Sequence, residues 1–152
     1  MKIVLFQPQI PQNAGNIVRT CSVTDSSLLL VRPLGFSTAS RHLKRAGLDY
    51  WEGVDVAFTD DLMAYLLGLE SERFYFFSSH AARSYTEIEY LPTDHLIFGS
   101  ETAGLPPIYC EQWPDNFYTI PMKKDKRCLN LANAVSIVVY EANRQQGFIN
   151  FL

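Results

Sequence analysis

Short apolar runs alternate along this chain with stretches of helical spacing. Residues 2–7 read Ile-Val-Leu-Phe at their centre, and residues 27–32, 74–77 and 95–98 repeat the pattern. Apolar side chains at both odd and even positions mark strands buried on both faces, as in a parallel sheet. Residues 54–58 alternate more loosely and residues 117–120 close the series, so six strands are expected. Between them, Ile17, Val18 and Cys21 form the apolar side of a first helix, and Leu62, Tyr65, Leu66 and Leu69 that of another, which Thr59 or Asp60 is expected to cap. Pro106 and Pro107 open a short helix that Trp113-Pro114 breaks. The longest helix is predicted to start near Leu129 or Asn130. It places Leu131, Val135, Val138 and Ala142 on one face, with Asn130, Asn133 and Ser136 on a neighbouring stripe. This alternation predicts an α/β fold, a doubly wound parallel sheet with helices on both faces and ligands at the C-terminal ends of its strands.

A chain of 152 residues with no internal repeat suits one domain over residues 1–152. No run reaches the ~18 apolar residues of a membrane span, and Pro8 interrupts the first apolar run too soon for a signal peptide. A soluble, cytoplasmic protein is expected. Cys21, Cys110 and Cys128 are odd in number and lack a Cys-x-x-Cys pair, suggesting neither a disulfide framework nor a zinc site, and no metal is expected. The net charge of -3 argues against coating nucleic acid by bulk positive charge. Local basic clusters are still present. Arg41, Lys44 and Arg45 share one face of a short predicted helix ended by Gly47, and Lys123, Lys124, Lys126 and Arg127 crowd a loop. Such clusters suit RNA phosphates, although a solvated surface is the commoner explanation.

Three loops carry residues that a plain connection does not require. In the first, Pro8, Pro11, Asn13, Gly15 and Asn16 crowd residues 8–16, with Asn16 expected to cap the helix that follows. Arg19 then falls in the first turn, where a cation opposes the helix dipole at a cost of about 0.3–1 kcal/mol unless an anion sits nearby. The second loop, Gly99-Ser-Glu101-Thr-Ala-Gly104-Leu105-Pro106, opens directly from a strand, and its glycines let backbone N–H groups approach a ligand. It is neither a dinucleotide fingerprint nor a P-loop. The third, residues 122–129, leads into Asn130 and Asn133, which are expected to cap the last helix or to hold something. His80, in a small polar turn after residue 77, reads as a surface residue rather than a catalytic one. All three loops follow predicted strands and can converge on one rim.

Together and in this order the loops resemble the three signature motifs of the SPOUT class of RNA methyltransferases, in its SpoU branch. Asn13-Ala-Gly-Asn16-Ile-Val-Arg19 resembles the first motif and Leu96-Ile-Phe-Gly99-Ser-Glu101-Thr-Ala-Gly104-Leu105-Pro106 the second. Ile120-Pro121-Met122 with Arg127-Cys-Leu-Asn130-Leu131-Ala-Asn133-Ala134-Val-Ser136 resembles the third. Pro33-Leu-Gly-Phe and Arg45-Ala-Gly-Leu-Asp-Tyr-Trp are similar to the minimal, TrmL-like members, which methylate the 2′-hydroxyl of the wobble nucleotide of certain tRNAs. The resemblance covers essentially the whole chain and leaves no room for an added RNA-binding extension.

It implies a deep C-terminal trefoil knot, a homodimer through the C-terminal helix, active sites completed by the partner, and S-adenosylmethionine as methyl donor. It assigns Phe77, Gly99, Gly104, Leu105, Ile120, Cys128 and Leu129 to the cofactor, with Cys128 standing where the family usually has Ser. Arg19 is the residue that acts on the hydroxyl, and Asn16, Glu101, Asn130 and Ser136 position the reactants, Glu101 by orienting Arg19 or a neighbouring backbone amide. A guanidinium stays protonated at neutral pH, so anchoring phosphate and stabilising developing negative charge suits Arg19 better than acting as a base. The RNA partner implied is a tRNA anticodon stem-loop, met by the two basic clusters. The alternatives are 2′-O-methylation of another tRNA position or of ribosomal RNA, and a catalytically silent nucleotide- or RNA-binding α/β module.

Overall fold

The computed structural model describes residues 1–37, 53–124, 126–149 and 151. Seven described strands form one sheet: β1 (Lys2–Phe6), β2 (Ser27–Val31), β3 (Val56–Thr59), β4 (Phe74–Phe77), β5 (Arg83–Ser84), β6 (His95–Phe98) and β7 (Phe117–Thr119). Their order is β3-β2-β1-β6-β4-β7-β5 and every pairing is parallel. The six expected strands are present. The seventh, β5, has only two residues and lies in a polar stretch without strand periodicity, so only its pairing with β7 reveals it.

Alternate residues of the strands feed two separate cores. On one face Ile3, Leu5, Leu28, Leu30, Leu96 and Phe98 pack under α1 (Pro11–Thr24) and α4 (Leu131–Gln145). On the other, Val4, Leu29, Ile97 and Phe76 meet α2 (Leu62–Leu67) and α3 (Pro107–Gln112). This two-sided burial is why the strand sequences are continuous apolar runs. Ile17, Val18 and Cys21 of α1, and Val135, Val138 and Ala142 of α4, are fully buried at 0% exposure, as their spacing predicts. Burial pushes the Cys21 thiol up to about 12, so it stays a protonated core residue.

Three local expectations are corrected. The first helix starts at Pro11, with Ile10 as its N-cap, so Asn16 lies inside it and is not a cap. Proline at the first helical position needs no N–H partner, which explains the earlier start. Arg19 consequently sits mid-helix, away from the positive end of the dipole, and the expected electrostatic conflict does not arise. The α2 cap is Asp61, whose carboxylate accepts from Ala64 N at 3.0 Å, instead of Thr59 or Asp60, and Gly68 ends that helix before Leu69. The expectation for α4 holds: Asn130 is its N-cap, accepting from the backbone N–H of Ala132 at 2.9 Å and of Asn133 at 3.4 Å. The predicted basic helix with Arg41, Lys44 and Arg45 lies outside the described residues.

The N-terminal end of the sheet is closed by polar groups. Fully buried Asp94 accepts from Arg73 Nε and Nη2, each at 2.9 Å, and Arg73 also donates to the Glu89 carbonyl. Beside it His95, 4% exposed, bonds the Tyr65 hydroxyl through Nε2 at 2.8 Å, while its Nδ1 has no partner. Burial holds the His95 imidazolium below its ordinary 6.5, with Glu72 only partly opposing that shift. The fold therefore favours neutral His95. Its stabilising contribution is complete above pH 6.5 and is lost as pH falls below that value, where the unfolded chain takes up the proton first. Urea denaturation between pH 7.5 and 5.5 should show a falling midpoint over this range, and His95→Gln should flatten that part of the profile.

Candidate functional site

A parallel sheet brings the chain segments following its strands to one rim, and here three of them enclose a cavity of about 430 Å³. That volume suits a small organic ligand. Phe77 to His80 after β4 form one wall, Phe98 to Leu105 after β6 a second, and Ile120, Met122 and the Cys128–Leu131 stretch a third. Ile10 and Asn13, at the start of α1, close the end.

The second wall folds back on itself. Ser100 and Gly104 exchange backbone hydrogen bonds at 3.1 and 3.0 Å, with Gly104 at φ +66°. This tight return brings Gly104 against Gly99, where an added Cβ would stand 2.4 Å from the Gly104 carbonyl carbon. Only glycine fits, because the obstacle is backbone and cannot rotate away.

Glu101 fixes this wall to the beginning of α1. Its Oε2 accepts from Gln9 N at 2.8 Å, and Oε1 accepts from Ile10 N at 3.1 Å and from Asn13 Nδ2 at 2.9 Å. Of the two partners expected for Glu101, the backbone amides are the ones it meets. A carboxylate at this position also suits the positive end of α1, whose own first turn holds no acidic residue. Asn13, 4% exposed, passes the connection on: its Oδ1 accepts from Asn130 Nδ2 at 2.9 Å, and Asn130 caps α4. One hydrogen-bonded chain, Glu101–Asn13–Asn130, thus ties the three motifs together.

Phe77, Gly99, Gly104, Leu105, Ile120, Cys128 and Leu129 all line the cavity, as do Glu101 and Asn130. Asn16 and Arg19 are exposed on α1 and are not among the residues of the wall. Ser136 is also outside it, bonded to the Ala132 carbonyl at 2.9 Å and to Thr20 Oγ1 at 3.0 Å between α1 and α4. Lys123, Lys124, Lys126 and Arg127 are exposed in the loop bordering the third wall. His80, read from sequence as a surface residue, is exposed but forms part of the wall. Asn13 was missed as a site residue. The available signal was a polar side chain at the head of the i, i+4 stripe Asn13, Ile17, Cys21, otherwise buried and apolar. Among the described residues no cluster is suited to a metal ion.

The fold is shared with solved RNA methyltransferase structures, and the chain belongs to the SpoU rRNA Methylase family, whose model matches residues 1–140. Among its relatives, the tRNA (cytidine(34)-2′-O)-methyltransferase of Escherichia coli strain K12 is 40% identical over 149 residues, covering 97% of this chain and 95% of that one. A solved structure described as giving insights into 2′-OH methylation of C/U34 on tRNA is 43% identical, with a TM-score of 0.89 over 97% of this chain and 96% of the other. AviRb of Streptomyces viridochromogenes, solved with AdoMet, is 20% identical with a TM-score of 0.79 over 96% of this chain and 57% of that one, a likeness of fold.

Two substitutions test the site. Gly99→Ala should displace the folded-back loop, weakening S-adenosylmethionine binding about 5- to 150-fold by calorimetry, in keeping with an overpacking cost of ~1–3 kcal/mol. Asn13→Ala leaves one oxygen of Glu101 and the Asn130 amide each short of a partner. It should lower unfolding free energy by ~1–3 kcal/mol and weaken the same ligand, as read by denaturant titration and calorimetry.

Proposed function

We propose that this chain is an S-adenosylmethionine-dependent methyltransferase that modifies the ribose 2′-hydroxyl of the wobble nucleotide, cytidine or uridine 34, of certain tRNAs. The observation that carries this reading is the cavity in which three separate motif loops meet, lined by every residue assigned to the cofactor. The named activity of the 40%-identical relative supports the choice of substrate. Coverage of nearly the whole length of that relative favours it over a silent binding module.

The residues present fit the donor. Gly104, beside which an added Cβ would meet nothing within 4 Å, leaves backbone open, Gly99 lets the loop fold back against the cavity, and Phe77, Leu105, Ile120 and Leu129 offer apolar walls for a flat heterocycle. Cys128 Sγ already bonds Ser79 Oγ at 3.4 Å, so its contribution to a ligand is best made through backbone, and replacement of the family Ser is then harmless. S-adenosylmethionine supplies an electrophilic methyl group on a sulfonium. Glu101, fully engaged by its three donors, acts as a strut and not as a base. Asn130 holds the third loop against Asn13 of the first motif, and through Asn13 against Glu101 of the second. Arg19 anchors phosphate and stabilises negative charge growing on the attacking oxygen. Ser136 holds α1, which carries both Asn16 and Arg19, against α4 through Thr20, and Asn16 helps to position the reactants.

Arg19 and Asn16 lie outside the cavity of their own chain, which favours a homodimer in which each α1 serves the neighbouring site. The α4 end supports the same assembly: Tyr140, Phe148 and Ile149 are exposed, and the Tyr140, Phe148 and Phe151 rings contact one another within 6.4 Å. The trefoil knot belongs to this reading too, supported by the meeting of the second and third loops over one cavity. Exposed Lys123, Lys124, Lys126 and Arg127, bordering the cavity, are assigned to the phosphates of the anticodon stem-loop, and so on their sequence alone are Arg41, Lys44 and Arg45, which lie outside the described residues. No described helix is long and apolar enough to cross a membrane, and a tRNA substrate favours the cytoplasm.

Labelled S-adenosylmethionine, incubated with tRNA from cells lacking this protein, should yield 2′-O-methylcytidine or 2′-O-methyluridine at position 34 with the wild type. Arg19→Ala should abolish transfer while binding the cofactor normally. Neutralising Lys123 and Lys124 should raise KM for tRNA and reduce its salt dependence. Label at another position, or in ribosomal RNA, would replace the proposed substrate, and weakened cofactor binding by Arg19→Ala would remove the role given to that residue.

A further inference from the structure

A second depression, of about 580 Å³, opens on the same rim above the ends of β2 and β3, lined among the described residues by Arg32, Pro33, Leu34, Phe36, Ser37 and Asp60. Arg32 directly follows β2 and Asp60 directly follows β3, and a backbone bond from Arg32 N to the carbonyl of Thr59, the last residue of β3, spans 2.9 Å. Their side chains form an exposed ion pair, Nε to Oδ1 at 2.8 Å and Nη2 to Oδ2 at 3.5 Å, with 50% and 78% of each side chain in solvent. A surface pair of this kind contributes little to stability. What it does is restrain the guanidinium, which also lies over the Phe58 ring, 5.4 Å from centroid to Cζ.

We propose that this depression is a nucleobase subsite, receiving a nucleotide that flanks the methylated one in the same RNA strand; this rests on the RNA methyltransferase reading above. The chemistry offered is that of a base: a flat, restrained guanidinium and the Phe36 ring for stacking, and an adjacent carboxylate that accepts from an exocyclic amine or ring N–H. Phosphate is the poorer occupant, because Asp60 repels it. The position is also that of a neighbour. β2 is separated from β6 by β1 alone, and strands lie about 4.8 Å apart, so the subsite is ~10–15 Å along the rim from the cavity over β6.

The two places are physically joined. The segment after β1 runs between them: Pro8 accepts from Gly35 N at 2.9 Å on the subsite side, and Gln9 donates its N–H to Glu101 at 2.8 Å on the cavity side. Gly35 approaches so closely that an added Cβ would lie 2.7 Å from the Gln9 Cα. A base seated beside Phe36 therefore bears on the same backbone that anchors the cofactor wall.

The test uses anticodon stem-loops carrying a single 2-aminopurine or a single abasic site at successive loop positions, with wild type, Arg32→Ala and Asp60→Asn. Stacking should quench 2-aminopurine at one position flanking the target. Both variants should relieve that quenching and weaken binding of the intact RNA about 10-fold, within the range expected for loss of one stacked base. The abasic site at that position should cost the wild type a similar factor and the variants almost nothing further, while S-adenosylmethionine affinity stays unchanged. Equal quenching in all three proteins, or abasic losses that simply multiply with those of the variants, would overturn the subsite. Quenching lost in the variants but no methyl transfer by the wild type would leave the subsite standing and remove the methyltransferase reading instead.

Discussion

Glu101 accepts three hydrogen bonds from groups about ninety residues earlier in the chain, and the working end of the molecule depends on that one carboxylate. The parallel sheet brings every loop to the same rim but fixes only the points where strands end. Without a cross-tie, the loop after β6 and the segment after β1 would be neighbours with no set distance between them. The carboxylate supplies the distance, gains from lying at the amino end of α1, and leaves Asn13 aligned to reach Asn130. Because Asn13 is buried and bonded on both sides, its loss leaves Glu101 and Asn130 each without one of their partners.

The architecture was legible where burial is two-sided. Continuous apolar runs such as Ile3-Val4-Leu5 predict parallel strands because their alternate side chains enter different cores, and the structure divides them in just that way. Asn130 announced itself as a cap because a short amide ahead of an apolar-periodic run has few other uses. The start of α1 was misread because Asn16 and Gly15 look like loop residues, whereas Pro11 at the first helical position was the stronger signal. β5 was illegible because its two residues gain their strand geometry entirely from β7.

The site was legible as a set of loops but not as a network. Sequence marks Gly99, Glu101 and Asn130 as unusual, yet which donor Glu101 meets depends on how the loops converge in space. The same limit hid Asn13, whose partners lie 88 and 117 positions away. It also hid the Arg32–Asp60 pair, whose members lie 28 positions apart and meet only because β2 and β3 end side by side. Residues that leave a strand at the rim are thus where function accumulates on this fold, while those inside it record packing.

The strand order has a consequence for the nascent chain. β1, made first, is flanked by β2 on one side and by β6 on the other. The β1-β2-β3 half can assemble early on the ribosome, but the other edge of β1 must stay open until residues 95–98 have emerged. The ligand cavity waits longer still, since it needs the residues that enter α4. A chain still being translated therefore carries a partly formed sheet in which the ends of β2 and β3 already stand together, while the ligand cavity is completed only when the residues entering α4 arrive.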